Sequence, residues 1–427
     1  MKTGGLRLDQ APPLAIPAAF FVMAPIAMLA AGALLTHTGG LALQTAWMPA
    51  TVALTHLGTL GLLALVMMGA LYQMTPVVAG AAVPRIGLAW GVLAGMVLGV
   101  GLLARGIPTN TAWMLQAAGL SLGAAVLLFI GPVGAALLSA PGRNETTWGM
   151  KLAVASLCGV VLMGLAMAVG GTLGHPVVSR LPWIQAHLTL GLLGWVGALL
   201  VGVSWQVAPM FYLAEPVPRI WQRATLGLLV AGLVSVVGAH GLSAFVELPG
   251  WATGRLLPVL AAPAAIAVWG LHPLTTLRSL ARRKRKRKDV SLRFWQLGMG
   301  AALATLTAGA LAWWRPEAAW PVAFGWLAIW GWAGATMHGM LTRIVPFLVW
   351  FYRFAPLVGQ QDVPPMRRLL PDRHARVGLV LHAVTLVLGL VAIATGVDVV
   401  ARVTGVALAL TGVVLAATLA KTLGTRP

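Results

Sequence analysis

Apolar residues dominate the chain in long runs broken by short polar or basic segments. Twelve runs read as spans near 13–36, 50–79, 84–104, 111–139, 148–173, 183–212, 219–243, 251–275, 291–313, 319–351, 375–396 and 398–422. Each is close to the roughly 20 residues a bilayer-crossing helix needs. In hydrocarbon every backbone polar group must be satisfied internally, which leaves helices or closed barrels. The runs lack the period-two alternation of a barrel strand, so the pattern predicts an all-α integral membrane protein. The turn at Asp398 is the weakest boundary in the pattern.

Composition sharpens this. Of 427 residues, 59% are hydrophobic and 9% are charged, against about 25% charged in soluble domains. The formal charge of +20 would suggest nucleic acid in a soluble protein, but here the basic residues flank the spans, and no nucleic-acid partner is expected. Even-numbered spans are followed by Arg85, by Arg143 with Lys151, by Arg219 with Arg223, and by a basic run at 282–288. Further on come Arg353, Arg367, Arg368, Arg373 and Arg376, and at the tail Lys421 and Arg426. Odd-numbered spans are followed by one arginine each at most. By the positive-inside rule both termini are cytoplasmic, and the cell inner membrane is the expected location. The 282–288 run reads as a topology signal, with anionic lipid headgroups as an alternative ligand. The stretch with Lys2 and Arg7 leads into an apolar run too long for a signal-peptide core. A lone cysteine, Cys158, gives neither an intrachain disulfide nor a CxxC site.

A repeat lies within the pattern. The second span carries His56-Leu57 and ends at Pro76; the sixth carries His187-Leu188 and ends at Pro209; the tenth ends at Pro346. The prolines are 133 and 137 residues apart, and each closes a long span. The spans therefore group as three four-helix units, about 13–139, 148–275 and 291–422, with a cytoplasmic basic loop at 276–290, in one transmembrane domain over 1–427.

All nine carboxylates fall in loops or at span ends, which removes the buried acid relay common in proton-coupled carriers. Histidines are the main ionisable groups left. His56 and His187 occupy matching outer places in two repeats; His37, His175 and His240 lie at outer ends or loops. Each is either a haem or copper ligand or an interfacial group bonded to water or a carbonyl. His338 and His382 share a depth in the inner half, as partners, as ligand and packed neighbour, or as two packed residues. His272 and His374 sit in basic inner segments and read as solvated. Trp326, Trp330 and Gly334 make one flat helix face, suited to a planar cofactor or, more commonly, to helix packing.

This pattern resembles subunit I of the haem-copper oxidase superfamily: twelve spans, both ends inside, three four-helix units, and histidines on the second, sixth, seventh and tenth spans. His56-Leu57-Gly58-Thr59-Leu60-Gly61 through Pro76, and Ala186-His187-Leu188 through Pro209, are more similar to a divergent branch that includes NnrS-type haem proteins. The resemblance implies a haem-binding membrane protein in respiratory redox chemistry or the nitric oxide response, with an electron-donor cytochrome or other oxidase-type subunits as partners. His56 matches the first low-spin haem ligand, and His187 the first copper ligand. The chain departs from the family in three places. The tenth span has only His338, deeper than the family's His-x-His; the seventh has only His240 in place of His-His; and Tyr72, Tyr212 and Tyr352 all lie at inner ends, away from an active-site tyrosine. The implied cofactor is therefore haem, held by His56, His187, His338 or His382, with copper through His56, His187, His240 or His338 less fully provided for. An oxygen- or nitric-oxide-reducing activity lacks its full copper motif. Two other readings stand beside this one. A cofactor-free twelve-span transporter would line a cavity with Gln73, Gln206 and Arg343. A copper-handling protein would use Met67, Met68, Met74, Met163, Met167 and Met210 for soft Cu(I), though methionine is a routine gap filler.

Overall fold

The computed structural model describes residues 10–142, 144–172, 180–242, 250–284, 289–317 and 319–427. His175 and most of the 282–288 run lie outside the described residues. The described chain is helical and contains no strand. The long helices are α1 (Ala15–Leu43), α2 (Pro49–Ala79), α3 (Ile86–Thr109), α4 (Ala112–Ser139), α5 (Glu145–Thr172) and α6 (Arg180–Tyr212). They continue as α7 (Arg219–Leu242), α8 (Gly254–Ala281), α9 (Val290–Trp314), α10 (319–354), α11 (Asp372–Thr395) and α12 (Asp398–Gly424).

Eleven of these, among the described residues, are long and apolar enough to cross a membrane. The chain is accordingly a multi-pass protein whose partner is the lipid bilayer. The exception is α10, which is helical throughout its length but diluted by five tryptophans, four glycines, His338 and Arg343. It is also heavily buried, from Trp326 through Thr342 with few breaks, so its polar and aromatic groups face protein rather than lipid. The weakest expected boundary is a clean break. Gly396 takes a left-handed φ of 68° after α11, a conformation that suits glycine, and α12 begins at Asp398. The α8 helix runs to Ala281, so the basic loop begins six residues later than its expected start at 276. Exposed tryptophans sit near helix ends, where amphipathic rings meet the headgroups: Trp47, Trp113, Trp313 and Trp314 at outer ends by the charge reading, Trp90, Trp148 and Trp221 at inner ends.

Two compact units divide the chain. The first comprises 1–11, 74–286 and 302–316; the second comprises 12–73, 287–301 and 317–427. In the first, α3 packs on α4 and α4 on α5, with α5 also lying against α6. Gly149 and Gly202 bring α5 and α6 backbones together: a Cβ on Gly149 would fall 2.9 Å from the Gly202 Cα. In the second, α1 and α12 meet along Gly32, Gly405 and Gly412, where a Cβ on Gly412 would stand 2.9 Å from the Pro25 carbonyl oxygen. Small residues allow this approach in membrane helices, where packing rather than hydrophobicity holds helices together.

Three long helices share an unusual feature. Residues Leu57–Ala64 of α2, Thr189–Gly197 of α6 and Leu327–Gly334 of α10 are π-helical. Their last residues Ala64, Gly197 and Gly334 each precede Pro76, Pro209 and Pro346 by twelve positions. π-Helix is rare and gathers at functional sites. Its recurrence at one register is a structural echo of the sequence repeat. Three further π segments, Thr75–Ala79 of α2, Ala267–Leu271 of α8 and Trp350–Phe354 of α10, stand outside this register.

Candidate functional site

The histidines sit against these π segments. His56 closes the α-helical turn before Leu57–Ala64, and its Nδ1 lies 2.8 Å from the Val52 carbonyl oxygen. His187 stands two residues before Thr189–Gly197, and its Nδ1 lies 3.0 Å from the carbonyl oxygen of Val160 on α5. A carbonyl only accepts, so in both rings Nδ1 carries the proton and donates it. In the neutral ring, Nε2 then holds the lone pair. Holding one ring nitrogen on a carbonyl fixes tautomer and orientation in metal-binding histidines. Both residues are half-buried. Gly164 of α5 makes room for His187: a Cβ there would be 3.2 Å from the His187 Cε1. At the same register in α10, twenty positions before its proline as His56 is, stands Trp326, whose indole N–H donates to the Leu386 carbonyl at 3.1 Å.

His338 and His382 are brought together, as partners. Their Nδ1 atoms are 3.2 Å apart, and the residues are 2% and 0% exposed. The His382 Nε2 lies 3.0 Å from the Trp330 carbonyl oxygen. These contacts settle the proton positions for a neutral pair. Because the carbonyl only accepts, His382 is protonated at Nε2 and bare at Nδ1. His338 must then donate from Nδ1, and its own Nε2 is bare. The indole of Trp330 stacks on His382 at 4.0 Å and 12°, and donates to the His382 carbonyl at 3.3 Å. Phe294 of α9 packs on His338 at 4.5 Å. Gly378 of α11 faces the bare nitrogen: a Cβ there would be 3.0 Å from the His338 Nε2.

The flat face of Trp326, Trp330 and Gly334 is thus a packing surface. Trp326 and Trp330 lie 6.3 Å apart at 31°, and Gly389 of α11 admits the Trp326 indole. Nor is His56 an opposite ligand to His338 across one iron. Gly58, two residues after His56, packs on Ile329, nine residues before His338. At 1.5 Å per residue the two histidines differ in depth by more than about 10 Å.

His240, at the outer end of α7, packs edge-on against Trp183 at 4.7 Å, one turn before His187 on α6, so these two rings have different partners. His37 is exposed at the end of α1, and the carbonyl beside its side chain accepts from Arg402 at 3.0 Å. His272 departs from the expectation of a solvated residue. It is 0% exposed, and its Nε2 lies 2.9 Å from the Ser204 Oγ of α6, because the extra length of α8 keeps it inside the bundle. His374 is half-buried at the start of α11. Arg343 pairs with Asp289 at 2.9 Å, with both side chains about a quarter exposed (26% and 22%). Met67 and Met68 are buried in the core.

Among the described residues, no three histidine, cysteine or acidic side chains form a metal-sized group. No protein-family model matches the chain, and no curated protein matches it. The site must therefore be read from its own chemistry. Sequence reasoning missed the π segments and the Ser204–His272 bond. The prolines marked the repeat in which the first recur but not the bulge itself, and nothing in the sequence marked the second.

Proposed function

We propose that this chain is a haem-binding integral membrane protein on the plan of haem-copper oxidase subunit I, near the NnrS-like branch, acting in respiratory redox chemistry or nitric oxide handling. One observation carries the reading. His56 and His187 recur beside π segments in matched helices, each with Nδ1 held on a backbone carbonyl, which fixes the tautomer and orientation of the ring. The shared π register supports three four-helix repeats, and the donor chemistry fits haem iron. His56 and His187 would each hold a haem through Nε2, while Val52 and Val160 orient the rings. Bound haem supplies an iron able to take a diatomic gas or pass an electron. The chain's own part is to fix the imidazole tautomer and to surround the iron with apolar side chains. An electron-donor cytochrome or other oxidase-type subunits would be the protein partners.

The test is the optical spectrum of detergent-purified protein after haem-replete expression, oxidised and dithionite-reduced, with iron quantified. A Soret band is expected. His56→Ala and His187→Ala should each lose or shift part of it. A colourless protein overturns the proposal and favours the cofactor-free transporter, whereas a spectrum untouched by both substitutions assigns the haem to other ligands.

The same reading places both termini in the cytoplasm of a cell with an inner membrane. After Cys158→Ser, a cysteine at Asn110, between α3 and α4, should react with an impermeant maleimide on intact spheroplasts. A cysteine at Gln360, after α10, should react only after permeabilisation. The reverse pattern would invert the topology.

A further inference from the structure

The helix starts at Glu145 and Arg219 carry a group of charges that the haem reading does not use. We propose that Lys151, Arg219 and Arg223 bind the phosphodiester headgroup of an anionic glycerophospholipid, at a site framed by Trp148 and Trp221.

Glu145 is the first residue of α5 and Arg219 the first of α7. The Arg223 Nε donates to the Glu145 Oε1 at 3.0 Å, and the charge of Arg219 acts on the same carboxylate. That carboxylate is mostly covered, with 12% of its side chain exposed, whereas the Arg223 side chain is 68% exposed. A guanidinium that spends Nε on one acceptor keeps its terminal nitrogens for another. On α5, the Lys151 ammonium lies 5.0 Å from the centre of the Trp148 ring, where the face of the indole attracts a cation. Among the described residues no second carboxylate pairs with any of the three cations. Three positive charges against one negative leave two for an outside anion.

Depth selects the anion. At 1.5 Å per residue, Arg223 lies about 6 Å and Lys151 about 9 Å along their helices from the first residue. Trp148 and Trp221 are 55% and 46% exposed, and such rings settle at the level of the headgroups. Beyond Arg223, α7 exposes Gly227, Leu228, Ala231 and Val234, an apolar surface along which acyl chains can lie. A soluble anion would have to descend past the tryptophans to reach Lys151. A phospholipid holds its phosphate at that level already, and the arginine fork matches paired phosphate oxygens. Cations that only set topology need no fixed arrangement, yet here a carboxylate and an indole hold them as a group.

The experiment is native mass spectrometry of the full-length chain in detergent, titrated with three probes. Dioleoylphosphatidylglycerol is anionic, dioleoylphosphatidylcholine has the same chains and no net charge, and glycerol 3-phosphate has the headgroup chemistry without chains. The first phosphatidylglycerol should bind at least about tenfold more tightly than the first phosphatidylcholine, two to three charges at about fivefold each being ample for this. Lys151→Gln, which breaks no ion pair, should lower phosphatidylglycerol affinity about fivefold. The triple variant Lys151→Gln, Arg219→Gln, Arg223→Gln should lose the preference. Arg367→Gln, Arg368→Gln, Arg373→Gln removes the same charge from three exposed arginines elsewhere and should keep it. Equal affinity for the two lipids, or equal loss in the two triple variants, would overturn the site. Glycerol 3-phosphate binding as tightly as phosphatidylglycerol would assign the cations to a soluble phosphate and overturn the lipid. If the first triple variant fails to fold, Lys151→Gln decides, and an unchanged affinity there overturns the proposal. None of these readouts needs haem, so they stand apart from the test of the haem reading.

Discussion

Gly405→Leu should cost the protein about 3 kcal/mol or more of stability, the upper range for overpacking a tight contact. A Cβ at Gly405 would fall on the backbone nitrogen of Thr36 and 2.7 Å from the Gly32 carbonyl oxygen. Both are backbone atoms of α1, so no rotamer change makes room, and α1 and α12 would have to part. Parting them also pulls on the Gly32/Ala409 contact, which is so close that a Cβ on Gly32 would stand 2.6 Å from the Ala409 nitrogen. Outside the lipid-buried seam, Arg402 binds the carbonyls of Thr36 and His37 at 2.9 and 3.0 Å, and this anchor would be strained as well. Gly101→Leu is the control: no atom lies within 4 Å of its Cβ position, and its unfolding should match the parent. Thermal unfolding in detergent micelles, followed by loss of helical circular dichroism, reads both. Equal melting of the two variants would show that the seam contributes little.

His382→Leu should be the second large loss, and its partner substitution should reverse part of it. Leucine at 382 leaves the buried His338 Nδ1–H without its acceptor, while the Trp330 carbonyl loses one donor and keeps the Ala335 backbone N–H. That orphaned donor costs about 1–3 kcal/mol. The double variant His338→Leu with His382→Leu removes the stranded donor and replaces two polar rings with apolar ones of smaller volume. Because the stranded His338 donor is gone, it should be more stable than His382→Leu alone, even though it carries more substitutions. In a double-mutant cycle such coupling appears as strong non-additivity between neighbours. Simple additivity in the melting data would mean that the two rings are not bonded in the folded protein.

Much of this fold was legible in the chain because lipid imposes a single strong rule. Twenty apolar residues between polar breaks can only be a helix, so most boundaries predicted from the runs fall within a few residues of those observed. The notable failure of the rule is α10. Its tryptophans, glycines and His338 lower its apolarity, yet it is helical because protein, not lipid, surrounds it. The prolines at 76, 209 and 346 exposed the repeat, and the π segments lie where that register would place a shared irregularity. A backbone bulge has no side-chain signature, so its existence was not readable.

The site was legible only in part. A shared depth was enough to suggest that His338 and His382 are partners, since equal counts from two inner ends bring residues of adjacent helices level. The role of Trp330 was not readable, because a stacked ring with a carbonyl below it depends on the roll of α10 about its axis. His272 was misread for a related reason. Its neighbours in sequence are basic, but α8 extends to Ala281, which draws the histidine in to meet Ser204.

The composition of α10 bears on how the protein is made. A helix that carries Arg343, His338 and several glycines through its middle gains little by entering lipid alone. Its stability in the membrane comes from neighbours, among them Phe294 of α9 and Gly378 and Gly389 of α11, which sit on either side of it in the order of synthesis. The segment would thus leave the insertion machinery as part of a small assembly rather than as an independent span. A ribosome stalled before α11 would hold the least lipid-compatible helix of the chain without the surface built to receive it.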